Sequence, residues 1–273
     1  MAKIWQHAII SGAGSGLGHG LAERLLRRGA KVSVLDLSVS KERAAALDVA
    51  ALAGGGRWQH HACNITDSAA VVQAVSSSVT SFGAPDIAIN SAGVGSNEAF
   101  LDLTEAQFRR VIEINVYGSR NFSAAVLPYL KPGSRLALIA SLAGITSNYG
   151  YAAYGTSKFA VLGLATTLRQ EYEPLGIHIS CICPPEVDTP MVTEERAHGN
   201  PVGLALKEIA GTLSPENACD GIIAGIDAGK WLIIPGTKAK LTAFAAQRMP
   251  GLFHAVTAML TRRIMRQHGM GLG

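Results

Sequence analysis

Seven short apolar runs alternate with helical patterns along this chain, and that alternation limits what it can fold into. The runs cover residues 7–11, 31–36, 58–64, 86–90, 135–140, 177–183 and 231–234. Segments with helical periodicity lie between them at 17–28, 41–53, 68–81, 104–127, 151–172 and around 217–228. Short strands separated by helices form βαβ units, and such units pair as a parallel sheet. The runs show little polar alternation, as expected where helices cover both faces of a sheet. No repeat, low-complexity stretch or linker divides the 273 residues, so one doubly wound α/β domain is expected. With 48% hydrophobic and 16% charged residues, the chain can fill the core that such a sheet needs.

Several classes fall away. The N-terminus runs almost at once into an apolar strand, so no signal peptide is expected. No apolar run reaches the roughly 18 residues of a membrane span. Cys63, Cys181, Cys183 and Cys219 show no metal-ligand spacing, and reduced buried thiols in a cytoplasmic protein are expected. The net charge of +4 belongs to the C-terminal tail. Asp227 is the last acid, and seven bases follow it; the body keeps 17 bases against 20 acids. Bases and aromatics do not interleave in the manner of a nucleic-acid site.

The first strand leads into Ser11-Gly12-Ala13-Gly14-Ser15-Gly16-Leu17-Gly18 and straight on into a helix. The register is Gly-x-x-x-Gly-x-Gly through Gly12, Gly16 and Gly18. Glycines between a first strand and a helix let the backbone approach a pyrophosphate at the helix N-terminus. No Gly-Lys-Ser/Thr follows, so an ATP loop is not expected. Asp36 ends the second strand. A carboxylate there accepts from adenosine ribose hydroxyls and repels a 2′-phosphate, and Ser15 brings no cation, which favours NAD over NADP.

Tyr154 and Lys158 stand four residues apart in a helical segment and so share one face. A cation beside a phenol lowers its pKa and makes it a better acid or base near neutral pH.

Gly12-x-x-x-Gly16-x-Gly18, Asn90-Ser91-Ala92-Gly93, Asn115, Ser141 and Tyr154-x-x-x-Lys158 together resemble the short-chain dehydrogenase/reductase family over residues 5–235. The resemblance implies one Rossmann-type domain with a seven-stranded parallel sheet, an alcohol–ketone oxidoreductase, and dimers or tetramers through the helices at 104–127 and 151–172. It implies Tyr154 as acid/base and Lys158 lowering its pKa while holding the nicotinamide ribose. Ser141 would bind the substrate oxygen and Asn115 would fix a water in the proton relay. Asn90 would steady the sheet beside the cofactor, and Asn64 stands where adenine is contacted. Val187 and Thr189 match residues near the nicotinamide carboxamide. Gly14, Ser15, Leu17, Ile65, Ala92, Gly93 and Pro184 complete the implied cofactor site; no metal is implied. Pro185 replaces the family's glycine and stiffens that loop.

The run Pro184-Pro-Glu-Val-Asp-Thr-Pro190, with Leu213-Ser-Pro-Glu216 and Gly229-Lys230, is similar to the 3-ketodihydrosphingosine reductase branch. That implies a long-chain, lipid-like ketone or alcohol. The branch generally uses NADPH with a base near the end of strand two, and Asp36 stands against this. A steroid, retinoid or other small alcohol is the alternative substrate. Residues 190–214 are expected as a substrate lid lined by Met191, Val192, Leu204 and Leu206. Residues 238–273 are expected as a basic helical tail with Leu252, Val256, Met259, Leu260 and Ile264 on one stripe. Such a helix suits its own domain, a subunit neighbour, the substrate pocket or an anionic membrane surface. A cofactor sensor without turnover is the alternative from another class, and the full Asn-Ser-Tyr-Lys set argues against it.

Overall fold

The computed structural model describes residues 4–269. Its first half runs β1 (His7–Ser11), α1 (Gly16–Arg27), β2 (Lys31–Asp36), α2 (Lys41–Gly54), β3 (Arg57–Ala62), α3 (Ser68–Phe82), β4 (Ile87–Asn90) and α4 (Glu105–Ile112). It continues with α5 (Gly118–Val126), β5 (Arg135–Ile139), α6 (Ala152–Tyr172), β6 (His178–Ile182), β7 (Glu186–Val187), α7 (Pro190–His198) and α8 (Pro201–Ala210). Then come β8 (Thr212–Leu213), α9 (Pro215–Asp227), β9 (Leu232–Ile233), α10 (Thr237–Arg248) and α11 (Pro250–Gln267). All seven expected strands are present. They form one parallel sheet in the order β3-β2-β1-β4-β5-β6-β9, with β7 and β8 paired separately.

The near-continuous apolar strands follow from this arrangement. In β1, Ile10 joins a core with Leu21, Leu25, Leu26 and Ile222 on one face. Its neighbour Ile9 joins Val71, Val75, Phe122 and Val161 on the other. Successive strand residues point to opposite faces, so both must be apolar. Helix starts are set locally. Asp67 accepts from the amides of Ala69 and Ala70 at the head of α3, and Thr104 with Gln107 forms a capping box before α4.

Two expectations are corrected, for the helix at 104–127 and for the tail. The helix read as continuous over 104–127 is interrupted by a π-helical turn at Glu113–Tyr117, for the reason given below. The stretch at 190–214, expected as the lid, folds as α7 and α8 followed by the short strand β8. The tail is two helices, α10 and α11, and residues 270–273 of it, like residues 1–3, lie outside the described residues. Its expected single stripe divides. Ile264 is buried and Leu260 half-buried, whereas Leu252, Val256 and Met259 are exposed. Among the described residues no helix is long and apolar enough to cross a membrane. The four cysteines are buried and free, with Cys181 and Cys183 sulfurs 4.0 Å apart on one face of β6 and the residue that follows it.

Phe122 is fully buried at the centre of the second core. Phe122→Ala is expected to lower unfolding stability by about 3–5 kcal/mol, read as a shift of the urea midpoint.

Candidate active site

The order of the sheet reverses between β1 and β4, and a crevice opens there at the carboxyl ends of the strands. Gly12 begins the loop with φ +65°, and a Cβ on it would stand 2.5 Å from the backbone nitrogen of Ala92. A Cβ on Gly18 would stand 2.3 Å from the carbonyl oxygen of Gly12. Both positions therefore exclude any side chain, and the loop lies against the turn after β4. Gly14 N–H donates to Asp36 Oδ2 at 2.8 Å, which fixes the carboxylate at the end of β2. Asn64 Oδ1 accepts from Thr66 N–H and Oγ1–H, tightening the turn after β3.

The crevice continues into a cavity of about 610 Å³. Fifteen of the nineteen residues expected at the site line it: Gly12, Ser15, Gly16, Leu17, Asp36, Asn64, Ile65, Ala92, Gly93, Ser141, Tyr154, Lys158, Pro184, Val187 and Thr189. Gly14, Gly18, Asn90 and Asn115 stand behind its wall. Of the expected lid lining, Met191, Val192 and Leu206 reach the cavity and Leu204 does not.

Tyr154 lies in the first turn of α6, and its hydroxyl bonds Ser141. Ser141 stands two residues beyond β5 and caps a short 3-10 turn, Leu142–Gly144, with Oγ accepting from Ala143 N–H at 3.1 Å. Leu142 N–H donates to Pro184 O at 2.8 Å, so the loop after β6 is pinned to the same turn. One helical turn on, Lys158 Nζ stands 5.5 Å from the Tyr154 ring centroid and donates to Ile139 O at 3.0 Å.

The expected lowering of the Tyr154 pKa is corrected. Burial pushes the phenol up to about 12; the Ser141 bond pulls it down, and the Glu195 charge pushes it further up. Burial likewise brings Lys158 down to about 8. The desolvation that discourages the phenolate also weakens the ammonium meant to favour it.

Asn115 explains the π-helical turn. Its Oδ1 accepts from Val94 N–H at 2.8 Å, and its Nδ2 donates to Val94 O and Ser157 Oγ at 3.0 and 2.9 Å. Ser157 Oγ–H in turn donates to the carbonyl of Tyr154 at 2.7 Å. The wider turn supplies the extra residue that aims Asn115 inward. Because both amide hydrogens are engaged, a water held by Asn115 would sit on one of its oxygens. Asn90 is buried in the same layer, accepting from Ser11 Oγ and donating to Ser119 Oγ.

The sequence reading missed a charged cluster on the far wall. Lys207 Nζ lies 2.7 Å from both Glu186 Oε2 and Glu195 Oε2. Glu195 also accepts from the Tyr151 hydroxyl and from Asn97 Nδ2. Arg196 pairs with the other Glu186 oxygen at 2.5 Å. Burial pushes Glu186 upward, yet Lys207, Thr212 and Arg196 together hold its carboxyl below the usual range. Burial, reinforced by Glu195, drives the Tyr151 hydroxyl well above its ordinary value. Tyr151 packs 5.5 Å from Tyr154, centroid to centroid. Phe253, Val256 and Leu260 of α11 close the apolar end.

The residues present fit a dinucleotide. The glycine loop leaves the crevice open beside the N-terminus of α1, and Asp36 ends β2. A Cβ at Gly93 would crowd Asn115 Oδ1 at 3.1 Å and Lys158 Nζ at 3.5 Å.

Residues 6–200 match the family profile described as short chain dehydrogenase. The oxidoreductase UcpA of Salmonella typhimurium is 35% identical over 202 residues, 71% of this chain and 74% of that protein. The 3-dehydrosphinganine reductase TSC10B of Arabidopsis thaliana is 32% identical over 235 residues, 84% of this chain and 69% of that protein. A short chain dehydrogenase from Mycobacterium paratuberculosis, solved bound to NAD, superposes with a TM-score of 0.77 at 23% identity, over 86% of this chain and 98% of its own. One from Burkholderia cenocepacia, solved in complex with NADP, gives 0.77 at 24% identity over 94% and 99%. Both structures share the fold.

The Lys158 shift has a thermodynamic consequence. Its folded pKa of about 8 lies below the ordinary 10.5, so between these values the unfolded chain binds more protons. Stability therefore rises with pH across that window, by about 3 kcal/mol in all, and the destabilising charge is fully present below pH 8. Urea unfolding at pH 7 and pH 10 is expected to show this gain relative to Lys158→Met; parallel behaviour of the two proteins would contradict it.

Proposed function

The chain belongs to the short-chain dehydrogenase family, and from that premise we propose that it interconverts a secondary alcohol and a ketone on an extended, apolar, lipid-like substrate, with NAD(H) as hydride carrier. One observation carries the reading: the Tyr154 hydroxyl, bonded to Ser141, lines the same cavity as the glycine loop on one side and Met191, Leu206, Phe253 and Leu260 on the other.

A nicotinamide dinucleotide bound in the crevice supplies or accepts the hydride. The protein's own groups handle the oxygen and the proton. As a carbonyl is reduced, negative charge grows on its oxygen, and Ser141 and Tyr154 meet it with two hydroxyl donors. Ser141 Oγ already accepts from Ala143 N–H, which leaves its proton to give. Tyr154 delivers the proton, and a phenol held near 12 stays protonated until that charge appears. Lys158, brought to about 8, is matched to replace the proton near neutral pH. It keeps two N–H groups beyond its bond to Ile139 O for a ribose and for Tyr154. Asn115 positions this machinery by holding Val94 on one side and Ser157, hence the Tyr154 carbonyl, on the other.

The substrate class rests on the cavity's apolar far end and on the likeness to a 3-dehydrosphinganine reductase. A ketosphinganine-like ketone fits both; a steroid or retinoid alcohol is the second reading, favoured by the aromatic wall of Tyr151 and Phe253. Asp36 supports NAD. Its carboxylate faces the crevice, and among the described residues no ion pair neutralises it, so a 2′-phosphate would meet a bare negative charge. Homo-oligomer contacts would use α4 to α6, where Tyr117 in the π-helical turn and Phe159 in α6 are exposed.

Tyr154→Phe is expected to lower turnover of a secondary alcohol by two or more orders of magnitude, roughly the range of a general acid/base, while NADH binding persists. Retained turnover would reject Tyr154 as the proton donor. In a fluorescence titration NADH is expected to bind at least about tenfold tighter than NADPH, with the gap narrowing in Asp36→Ala. Tighter NADPH binding in the unaltered protein would reverse the cofactor assignment.

A further inference from the structure

Helices α10 and α11, with the Met249 that joins them, carry six of the large apolar side chains that the protein leaves exposed. Leu241, Phe244, Met249, Leu252, Val256 and Met259 show 42 to 64% of their surface to solvent. They do not scatter. Leu241, Phe244 and Arg248 fall within one narrow arc of α10, and Leu252, Val256, Met259 and Arg263 fall within another of α11. Phe253, Thr257, Leu260 and Ile264 occupy the adjoining, inward arc, half-buried or buried. Each helix thus has an outer apolar stripe ending in an arginine. Lys238, Lys240, Arg262 and Arg266 add cations, and no acid occurs after Asp227.

Val256 gives this surface its significance. It is 42% exposed and also lines the cavity. The cavity therefore reaches the surface beside the outer stripe of α11. We propose that α10 and α11 form a docking face for an anionic lipid bilayer, which they meet side-on, and that the substrate cavity opens onto that bilayer.

The chemistry selects this partner. An amphipathic helix with apolar and basic outer positions and no acidic ones is drawn to a surface that is apolar inside and negative outside. A second copy of the chain is a poor match, because a two-fold contact would set the tail's cations against one another with no acid to offset them. No described helix is able to span the bilayer, so the contact lies on its surface. Entry of substrate from the bilayer rests on the reading of an extended apolar substrate; docking itself does not.

The test is co-sedimentation of the full-length protein with vesicles of phosphatidylcholine alone and of phosphatidylcholine mixed with phosphatidylglycerol. Binding to the mixed vesicles is expected to be at least about tenfold tighter and to weaken as salt is raised. Phe244→Ser with Met259→Ser, and separately Arg263→Glu with Arg266→Glu, are expected to abolish it, with turnover of a short water-soluble ketone unchanged. None of these four residues lines the cavity. Equal or absent binding of the unaltered protein to the two vesicle types would overturn the proposal, whatever the variants do. A salt-insensitive dimer that the serine variants dissociate, without vesicle binding, would assign the face to a second copy. Vesicle binding is read without turnover, so it survives or fails independently of Tyr154.

Discussion

At the seam between β1 and β4 a run of buried hydrogen bonds joins four residues. Ser11 Oγ donates to Asn90 Oδ1 at 2.5 Å, Asn90 Nδ2 donates to Ser119 Oγ at 2.8 Å, and Ser119 Oγ–H donates to the Asn115 carbonyl at 2.5 Å. Polar groups this deep must be partnered, because leaving one unmatched costs about 1–3 kcal/mol. The run therefore has one good arrangement. It fixes β1 against β4 and the π-helical turn against both. From that turn Asn115 sets the Val94 loop and, through Ser157, the first turn of α6. The glycine crevice and the Tyr154–Lys158 pair thus share one rigid frame, though they are far apart in sequence.

That frame sets the electrostatics. Tyr154 and Lys158 are both desolvated, and each neutral form gains by it. A neutral phenol and a readily neutralised amine are suited to handing a proton along, and less to holding a standing ion pair. The cluster of Glu186, Glu195, Arg196 and Lys207 on the far wall is different. There Lys207, Thr212 and Arg196 hold the buried Glu186 carboxyl below its usual range, and Lys207 bridges it to Glu195. Glu195 reaches back through Tyr151 to the neighbourhood of Tyr154, so α7 is joined to the head of α6.

The sheet was legible because strand and helix periods are local properties, and both cores require apolar residues where the alternation places them. The glycine loop, Asp36 and the Tyr154–Lys158 pair stood out by their place and spacing in the chain, whereas Ser141 and Asn115 were reached only through the family resemblance. The π-helical turn was not: residues 104–127 have an unbroken helical period, and the interruption is imposed by Val94 and Ser157 from distant segments. Tyr151, Glu186, Glu195 and Lys207 were missed for a related reason. They sit on different short elements, and only the approach of α7 and α8 to Tyr151, just before α6, brings them together. The tail's stripe was placed at too wide an angle, because sequence gives the arc of a helix but not which half of it meets the protein.

The two glycines at the crevice divide the molecule's freedom to change. At Gly12 and Gly18 a single carbon atom would fall within 2.5 Å of backbone, so this end of the cavity admits no variation without moving the sheet itself. The opposite end is built from side chains of α7, α8 and α11, elements outside the main sheet that can be recontoured without touching β1 or β4. A chain made this way can acquire a new substrate by redrawing one wall while the glycine-lined end of its crevice stays the same. Its substrate range is the adjustable half of the protein, and its reaction type is the fixed half.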